Sequence, residues 1–330
     1  MPNFVSTFVP GFEALVAREL PRRAAGCTVD RVLEGMALYR FSGKGGLPVI
    51  PFTNNTFAVL TTFPGAKNTA PLPMMLQRMS RFGVNEEARQ FLPSGARTFR
   101  VVVMLEGELV SVSPGLMTRA ETLLSNAFDL RVHRARPDVE FWLNYRKEGI
   151  GFLLLRLGKH RDFQKSLKPG ELRPDLAAML CLMTHPRGGD RVLDPFCGRG
   201  AILRARAGWP SKEILGSDID AGVLADARRT GAKVQACDAL NLTYLPDGSV
   251  DAVITDPPWG SYTELEDEAG FYARLAGEMN RVLTREGRMA TLTSRGARAY
   301  RGFSAVFTAE EQYDILVSGK KARATLWLPR

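Results

Sequence analysis

The sequence of 330 residues contains little cysteine, no long apolar run and no recognisable targeting segment. Its cysteines form no CxxC pair and no metal-ligand spacing, so we expect no metal site and favour a reducing cytoplasm. No stretch approaches the roughly 18 consecutive apolar residues of a membrane helix. The N-terminal MPNFVSTFVPGFEAL lacks a basic start before an apolar core, so no signal peptide is predicted. The cysteines are Cys27, Cys181, Cys197 and Cys237.

Positive charge is concentrated in the N-terminal half, in a chain long enough for two domains. Residues 1–165 hold 22 Lys and Arg against 14 Asp and Glu, a balance of +8, whereas residues 166–330 hold 22 against 21, a balance of +1. A solvated basic face is the simpler interpretation. A polyanion-binding half joined to a neutral catalytic half is the sharper one.

The C-terminal half alternates short β-rich runs with helical patterns, which is typical of an open, mainly parallel α/β sheet. The runs 312–317 and 322–328, separated by Ser318-Gly319-Lys320-Lys321, predict a closing antiparallel hairpin. The other predicted strands are 191–194, 213–217, 233–236, 252–255 and 289–293, and the predicted helices are 172–184, 201–207, 221–230 and a long one within 264–283.

The N-terminal half predicts a small α+β region, followed by a basic linker within 159–171. Its pattern of apolar residues is less regular than that of the C-terminal half. The predicted elements are a helix at 11–20, strands at 99–105 and 109–113, a helix at 119–130, and a hairpin formed by 139–145 and 151–157.

A glycine-rich loop follows the strand that ends at Asp194. Gly198 and Gly200 permit close approach of a ligand. Asp218 ends the next strand, where a carboxylate accepts hydrogen bonds from both hydroxyls of an adenosine ribose, and Asp238 ends the third, where it can face the adenine amine. Three carboxylates at successive strand ends favour S-adenosylmethionine over NAD, since Asp194 would repel a pyrophosphate but bind an ammonium. Pro195, Cys197, Ile219 and Ala239 are predicted to line the same cofactor site.

A second short motif, Asp256-Pro257-Pro258-Trp259-Gly260, follows the predicted strand 252–255. The prolines fix φ and direct their carbonyl groups, and the indole of Trp259 offers a stacking face worth about 1–3 kcal/mol per base. Asp256 and the Pro257 carbonyl can accept hydrogen bonds from the exocyclic amine of a flat base and orient its lone pair toward a methyl donor. The motif therefore predicts amine methylation with the base unstacked, and it fits guanine and adenine equally.

These motifs carry a resemblance. DPFCGRG at 194–200 followed by DPPWG at 256–260 resembles the class I amino-methyltransferases, whose sheet ends in an antiparallel hairpin. The stretches Pro10–Leu20 and Arg136–Leu157 resemble the THUMP-containing RNA methyltransferases of the tRNA guanine-N2 type. The segment 167–180, including Arg173, is similar to the helix that in this family contacts the methionine end of the cofactor.

The resemblance implies a Rossmann-like class I methyltransferase domain at 172–330, a linker at 159–171 and a ferredoxin-like plus THUMP RNA-binding region at 1–158. It further implies N2-methylation of a guanosine near the acceptor stem of tRNA by a monomer. Alternatives are methylation of a guanine in ribosomal RNA, methylation of adenine N6 in a nucleic acid, and an RNA-binding protein without catalysis. Intact Asp194, Asp218 and Asp256 count against the last.

Overall fold

The computed structural model describes residues 4–43, 47, 49–65, 70–83, 86–157, 167–168, 171–259 and 267–330. The chain forms two compact units. The first comprises Met1–Thr7, Leu20–Pro48 and Asn54–His160, and the second comprises Phe8–Glu19, Val49–Thr53 and Arg161–Arg330. Most of the predicted linker lies outside the described residues, and the three-part domain division stays a prediction.

The first unit is built on one nine-stranded sheet with the order β2-β3-β1-β4-β9-β8-β5-β6, and β7 pairs with β5. Its core holds the inward faces of β1, β4 and β9, with Val5, Phe57 and Phe152 at most 1% exposed. The strands are β1 (Phe4–Thr7), β2 (Cys27–Leu33), β3 (Met36–Phe41), β4 (Asn55–Pro64), β5 (Thr98–Leu105), β6 (Glu108–Leu109), β7 (Arg131–Val132), β8 (Val139–Tyr145) and β9 (Ile150–Leu157), and the helices are α2 (Pro71–Phe82) and α3 (Pro114–Phe128), with a 3-10 turn at Glu86–Phe91. The helix α1 (Glu13–Arg23) is divided between the units, because its residues up to Glu19 belong to the second.

The sequence predictions for this half were partly right. The hairpin is confirmed as β8 and β9, and strand 99–105 is confirmed as β5. The strand predicted at 109–113 is wrong, because β6 pairs with β5 only through Glu108 and Leu109. A proline at position 114 then starts α3, five residues before the predicted helix, since proline suits the first turn of a helix.

The second unit contains a seven-stranded sheet with the order β12-β11-β10-β13-β14-β16-β15. The first five strands are parallel, and the β15–β16 hairpin is antiparallel, which confirms the predicted Rossmann-like fold. The strands are β10 (Arg191–Asp194), β11 (Glu213–Asp218), β12 (Lys233–Ala236), β13 (Val250–Thr255), β14 (Leu283–Ser294), β15 (Phe307–Val317) and β16 (Lys320–Pro329), and the helices are α4 (Pro174–Met183), α5 (Ala201–Arg206), α6 (Leu224–Arg228), α7 (Glu268–Val282) and α8 (Ala297–Ser304).

The strand order places a crevice beside the two functional motifs. In the sheet, β11 lies on one side of β10, and β13, which comes later in the chain, lies on the other side. A reversal of this kind opens a crevice at the carboxyl ends of the two strands, where open α/β sheets bind ligands. Asp194 is the last residue of β10, and Asp256 directly follows β13. The fold therefore brings the two motifs, 62 positions apart by their numbers, to one edge.

A short N-terminal segment belongs to the second unit. Gly11, with φ of 100°, lies so close to β15 that a Cβ atom there would overlap the carbonyl oxygen of Asp314. Phe12 is fully buried, and its ring centroid lies 5.1 Å from that of Tyr313. Gly11 and Phe12 are thus explained by packing on the closing hairpin, in a region that the sequence analysis assigned to RNA binding.

A buried ionic cluster fixes the start of β10. The carboxylate of Asp190 accepts hydrogen bonds from Arg288 Nη2 at 2.6 Å, from Arg206 Nη2 at 3.2 Å and from the Arg187 amide at 2.8 Å. All three charged side chains are at most 5% exposed. Separating these groups would leave a buried charge without its partner, which costs free energy. The cluster therefore stabilises the packing of β10 with β14 and α5.

Candidate active site

A cleft lies at the carboxyl ends of β10 and β13. Asp194 and Phe196 contribute to its wall from the loop after β10, and Asp256 contributes from the loop after β13. The cleft therefore lies between two segments predicted from the sequence. One is the glycine-rich loop at 194–200, here called the cofactor loop, and the other is the motif at 256–259, here called the clamp. The remaining lining residues are Glu171, Leu172, Cys197, Gly198, Arg199, Ala201, Ile202 and Val223.

Asp194 is the most deeply buried acid of the cleft, with 2% of its surface exposed. Burial raises the pKa of its carboxyl well above the usual range, and the nearby charges of Asp256 and Asp218 raise it further, against the lowering effect of a hydrogen bond from the Phe196 amide. That amide donates to Oδ1 at 3.2 Å. A buried carboxylate among other acids is stabilised by a bound cation, so the ammonium group of an amino acid fits this position.

The glycine-rich loop is held against the next strand by Asp218. The Gly198 amide donates to Asp218 Oδ2 at 2.9 Å, and the Cys197 amide donates to the Ser217 carbonyl at 2.8 Å. Gly198 has φ of 47°, and a Cβ atom built on it would meet no atom within 4 Å. The loop thus presents bare backbone toward open space, as a ligand that approaches the main chain closely requires.

The ends of β11 and β12 carry the features expected around an adenosine. Ile219, directly after β11, is 77% exposed, and such an isolated apolar side chain can cover one face of an adenine ring. Asp238 is exposed and accepts a hydrogen bond from the Leu240 amide at 2.9 Å. The amide of Cys237 donates to the Asp218 carbonyl at 3.0 Å, which keeps the two strand ends together. These residues are suited to binding an adenosine group, such as the adenosine portion of S-adenosylmethionine.

Four other predicted cofactor residues have different surroundings. Arg173 forms an ion pair with the buried Asp175, Nε to Oδ1 at 3.1 Å, whereas Glu171 and Leu172 just before it line the cleft. Ala239 is 2% exposed and packs in the core. Pro195 is buried at the base of the loop, and Gly200, with φ of 85°, packs against α6. Their roles at the cofactor site stay predictions.

Cys197 lines the cleft as a neutral thiol. It is 4% exposed, and burial raises the pKa of the thiol, with Asp194 and Asp218 raising it further. A thiol in this state is a weak nucleophile. Direct transfer without a covalent enzyme intermediate therefore suits this site.

Three hydrogen bonds fix the clamp loop. Trp259 Nε1 donates to Asp256 Oδ1 at 2.8 Å and lies 3.2 Å from the Leu292 carbonyl oxygen on β14. Tyr272 on α7 donates its hydroxyl proton to the Pro258 carbonyl at 2.9 Å. The indole edge therefore anchors one carboxylate oxygen, an interaction that sequence reasoning missed. Gly260, the predicted turn, lies outside the described residues.

The pKa of Asp256 gives a pH prediction. Burial raises this pKa from 3.8 to about 7, although the hydrogen bond from Trp259 lowers it. If the ionised carboxylate orients the amine, kcat/KM should rise about tenfold per pH unit below pH 7 and become constant above it. The conservative variant Trp259→Phe removes the lowering hydrogen bond, so the midpoint should move to higher pH. Initial rates between pH 5.5 and 9 measure both profiles.

The raised pKa of Asp256 also affects stability, with the opposite dependence on pH. Because the pKa of Asp256 is higher in the folded protein than its ordinary value of 3.8, the folded state holds the proton more tightly than the unfolded chain. The contribution of Asp256 to stability is therefore lost as pH rises from about 4 to about 7. A kcat/KM that falls, rather than rises, as pH increases toward 7 would contradict the role assigned to Asp256 in orienting the amine.

The described residues contain no group of acids, cysteines and histidines that could hold a metal ion. No helix among the described residues is long and apolar enough to span a bilayer. All four cysteines are free thiols, and only Cys237 is not buried.

Comparisons with known proteins agree with this geometry. Residues 161–311 match the UPF0020 family, described as an RMKL-like methyltransferase domain. The chain is 31% identical over 244 residues to the tRNA (guanine(6)-N2)-methyltransferase of Thermus thermophilus, covering 68% of this chain and 71% of that protein. It is 36% identical over 125 residues to the tRNA (guanine(10)-N2)-dimethyltransferase of Methanothermobacter thermautotrophicus, covering 36% of this chain and 33% of that protein.

The structural likeness extends over both units. The crystal structure of TrmN from Thermus thermophilus matches with a TM-score of 0.75 at 26% identity, covering 99% of each chain. The resemblance inferred from the two loop motifs is thereby confirmed. With a sequence alignment over more than two thirds of the Thermus enzyme and a structural match over nearly all of TrmN, the chain belongs to the TrmN-like family of guanine-N2 tRNA methyltransferases.

Proposed function

We propose that this protein transfers a methyl group from S-adenosylmethionine to the exocyclic N2 amine of a guanosine in tRNA. The observation that carries this proposal is the single cleft lined by both Asp194 and Asp256. The first acid suits the cationic end of the cofactor, and the second suits the amine that accepts the methyl group. Relatives named as tRNA guanine-N2 methyltransferases support guanine in tRNA as the substrate.

The cofactor would be held by residues along one edge of the sheet. Asp194 would bind the ammonium, Asp218 the ribose hydroxyls, and Asp238 the adenine amine, with Ile219 against the adenine face. S-adenosylmethionine supplies a methyl carbon activated by the positive charge on sulfur. The open space in front of Gly198 supports this placement.

The mechanism assigns orientation and proton acceptance to the clamp. The base must leave its stack to reach the cleft. Asp256 Oδ1 is occupied by Trp259, so Oδ2 is the oxygen that accepts a hydrogen bond from the substrate amine. Asp256 would hold the amine with its lone pair toward the methyl group, and the amine proton would pass to Asp256 or to water when the methyl group is transferred from sulfur to nitrogen. Most of the acceleration comes from proximity and alignment.

Exposed arginines of the first unit support RNA binding. Arg97, Arg131 and Arg136 are exposed, and the Arg131 amide donates to the Arg97 carbonyl at 2.9 Å, so their backbones are adjacent. The exposed Asp138 accepts hydrogen bonds on its carboxylate from the amides of Arg97 and Thr98. The exposed positive charge of these three arginines would suit RNA phosphates.

Replacing Arg97, Arg131 and Arg136 together by alanine should weaken tRNA binding by at least tenfold and leave kcat unchanged. The slope of log Kd against log salt concentration should fall by about 0.7–0.9 for each lost phosphate contact. Arg40→Ala is the matched control, because Arg40 is 57% exposed in the same unit and already paired with Asp30 at 3.0 Å. Binding titrations at several salt concentrations test this, and an unchanged slope would contradict the assignment.

The substrate class is tested by competition. Purified protein and labelled S-adenosylmethionine are incubated with unmodified tRNA, ribosomal RNA and DNA, separately and mixed. Label in tRNA supports the proposal, and label confined to ribosomal RNA or DNA supports the two catalytic alternatives. An acceptor-stem target, a monomeric state and a cytoplasmic location complete the proposal, the last supported by the scattered free thiols.

A further inference from the structure

Two consecutive residues of α7 contact the two loops that form the cleft. The ring of Phe271 lies 6.1 Å from that of Phe196 in the cofactor loop. The hydroxyl of Tyr272 donates to the Pro258 carbonyl in the clamp at 2.9 Å. Phe196 and Asp256 both line the cleft. One turn of helix therefore connects the loop for the methyl donor with the loop for the methyl acceptor.

The side chain of Tyr272 is fixed in position by burial and by packing against α8. It is fully buried, and burial raises the pKa of its hydroxyl, so the group keeps the proton that it donates. Gly302 of α8 packs against it, since a Cβ there would lie 2.6 Å from the Tyr272 Cβ. The ring of Phe303 lies 5.8 Å away on the same helix. The tyrosine cannot move without displacing α8.

We propose that Phe271 and Tyr272 are positioning residues that set the distance between the methyl donor and the acceptor amine. This inference rests on the proposed methyl transfer. In-line transfer needs reacting atoms about 3–3.5 Å apart, and a displacement of about 1 Å can cost about 100-fold in rate. Phe196 and Pro258 are 62 positions apart in the sequence. The pair on α7 joins their two loops through one rigid element, in addition to the pairing of β10 with β13.

The variant Tyr272→Phe keeps the ring and removes the hydrogen bond to Pro258. We expect kcat to fall by about tenfold or more, with KM for tRNA and Kd for S-adenosylmethionine unchanged within twofold. Phe271→Leu should instead weaken cofactor binding several-fold and lower kcat, because it loosens Phe196. Single-turnover rates and calorimetric titration separate the two effects.

Tyr313→Phe is the matched control. It also loses a hydroxyl hydrogen bond, to Glu311 at 2.7 Å, in the same unit but away from both loops. Both variants should lose similar thermal stability, whereas only Tyr272→Phe should lose kcat. Equal kcat in the two variants would overturn the inference. If the wild-type protein makes no methylguanosine, the proposed function fails instead, and the cofactor affinity of Phe271→Leu still tests the link to the cofactor loop.

Discussion

Replacing Asp256 by alanine is expected to lower kcat by about 100- to 10,000-fold, the range contributed by a positioned acid–base group. The affinity for S-adenosylmethionine should change by less than about threefold, because the predicted cofactor contacts lie on other strand ends. The amine would lose the acceptor that orients its lone pair, and Trp259 Nε1 would lose the partner that it holds at 2.8 Å. Single-turnover rates with saturating tRNA and calorimetric titration of the cofactor measure the two quantities.

Asp256→Asn refines this test. The single amide oxygen of asparagine can replace only one of the two carboxylate oxygens, toward Trp259 or toward the substrate amine, so we expect a smaller loss of kcat than with alanine. The rise of kcat/KM near pH 7 should disappear, because asparagine does not titrate. Asp247→Ala is the control and should keep the wild-type profile, because Asp247 is 80% exposed, pairs with Arg281 and does not line the cleft. An equal loss of cofactor binding and rate in Asp256→Ala would make Asp256 a structural residue.

Replacing Asp218 by alanine is expected to weaken cofactor binding by about 100-fold, equivalent to about 2.7 kcal/mol. The ribose would lose charge-assisted hydrogen bonds worth about 1.5–3 kcal/mol each. The Gly198 amide would also lose the carboxylate oxygen that it contacts at 2.9 Å, which would loosen the glycine-rich loop. Calorimetric titration with S-adenosylmethionine measures the change directly.

Asp218→Asn separates the two causes. Asparagine still offers an oxygen to Gly198 but removes the charge beside the ribose, so affinity should fall by an intermediate amount. Asp238→Ala should cost less than Asp218→Ala, since Asp238 is exposed and contacts only one predicted cofactor group. A full-strength affinity in Asp218→Ala would mean that the carboxylate neither binds the ribose nor holds the loop.

The parallel sheet was predictable from sequence mainly because its central strands β10 and β13 are mostly buried. The runs at β10 and β12 were predicted with the bounds that the structure has, and β13 begins two residues earlier than predicted. β10 and β13 are short runs rich in apolar and β-branched residues that end at or just before an acid, and this is the pattern that parallel strands covered by helices produce. β12 is the edge strand and is mostly exposed. The three strand-end acids could be placed on one edge for the same reason.

The first unit was harder to predict because its strands mix polar and apolar residues. β2, Cys27–Leu33, is buried only at its two ends, with exposed Thr28, Asp30 and Arg31 between. β1 has four residues and is stabilised by pairing with both β3 and β4. Such strands depend on partners distant in sequence, so local propensity does not reveal them. α8 in the second unit was missed as well, because it has only eight residues, which include two arginines and Gly302.

The clamp shows what a motif alone does not reveal. Asp256, Pro257, Pro258 and Trp259 were recognised as a unit because they are adjacent in sequence. The groups that hold them, Tyr272 and the Leu292 carbonyl, lie 14 and 33 residues further along the chain. Only the folded structure shows that the indole edge is committed to Asp256 and that the Pro258 carbonyl is occupied.

Nucleoside mass spectrometry of the methylated product tests the proposed reaction most directly. Unmodified tRNA is incubated with the wild-type protein and with Asp256→Ala, using S-adenosylmethionine labelled in its methyl group, and is then digested to nucleosides. Methylation of the guanine exocyclic amine predicts label in N2-methylguanosine with the wild-type protein and almost none with the variant. Label in N6-methyladenosine, or no label in any tRNA nucleoside, would contradict it.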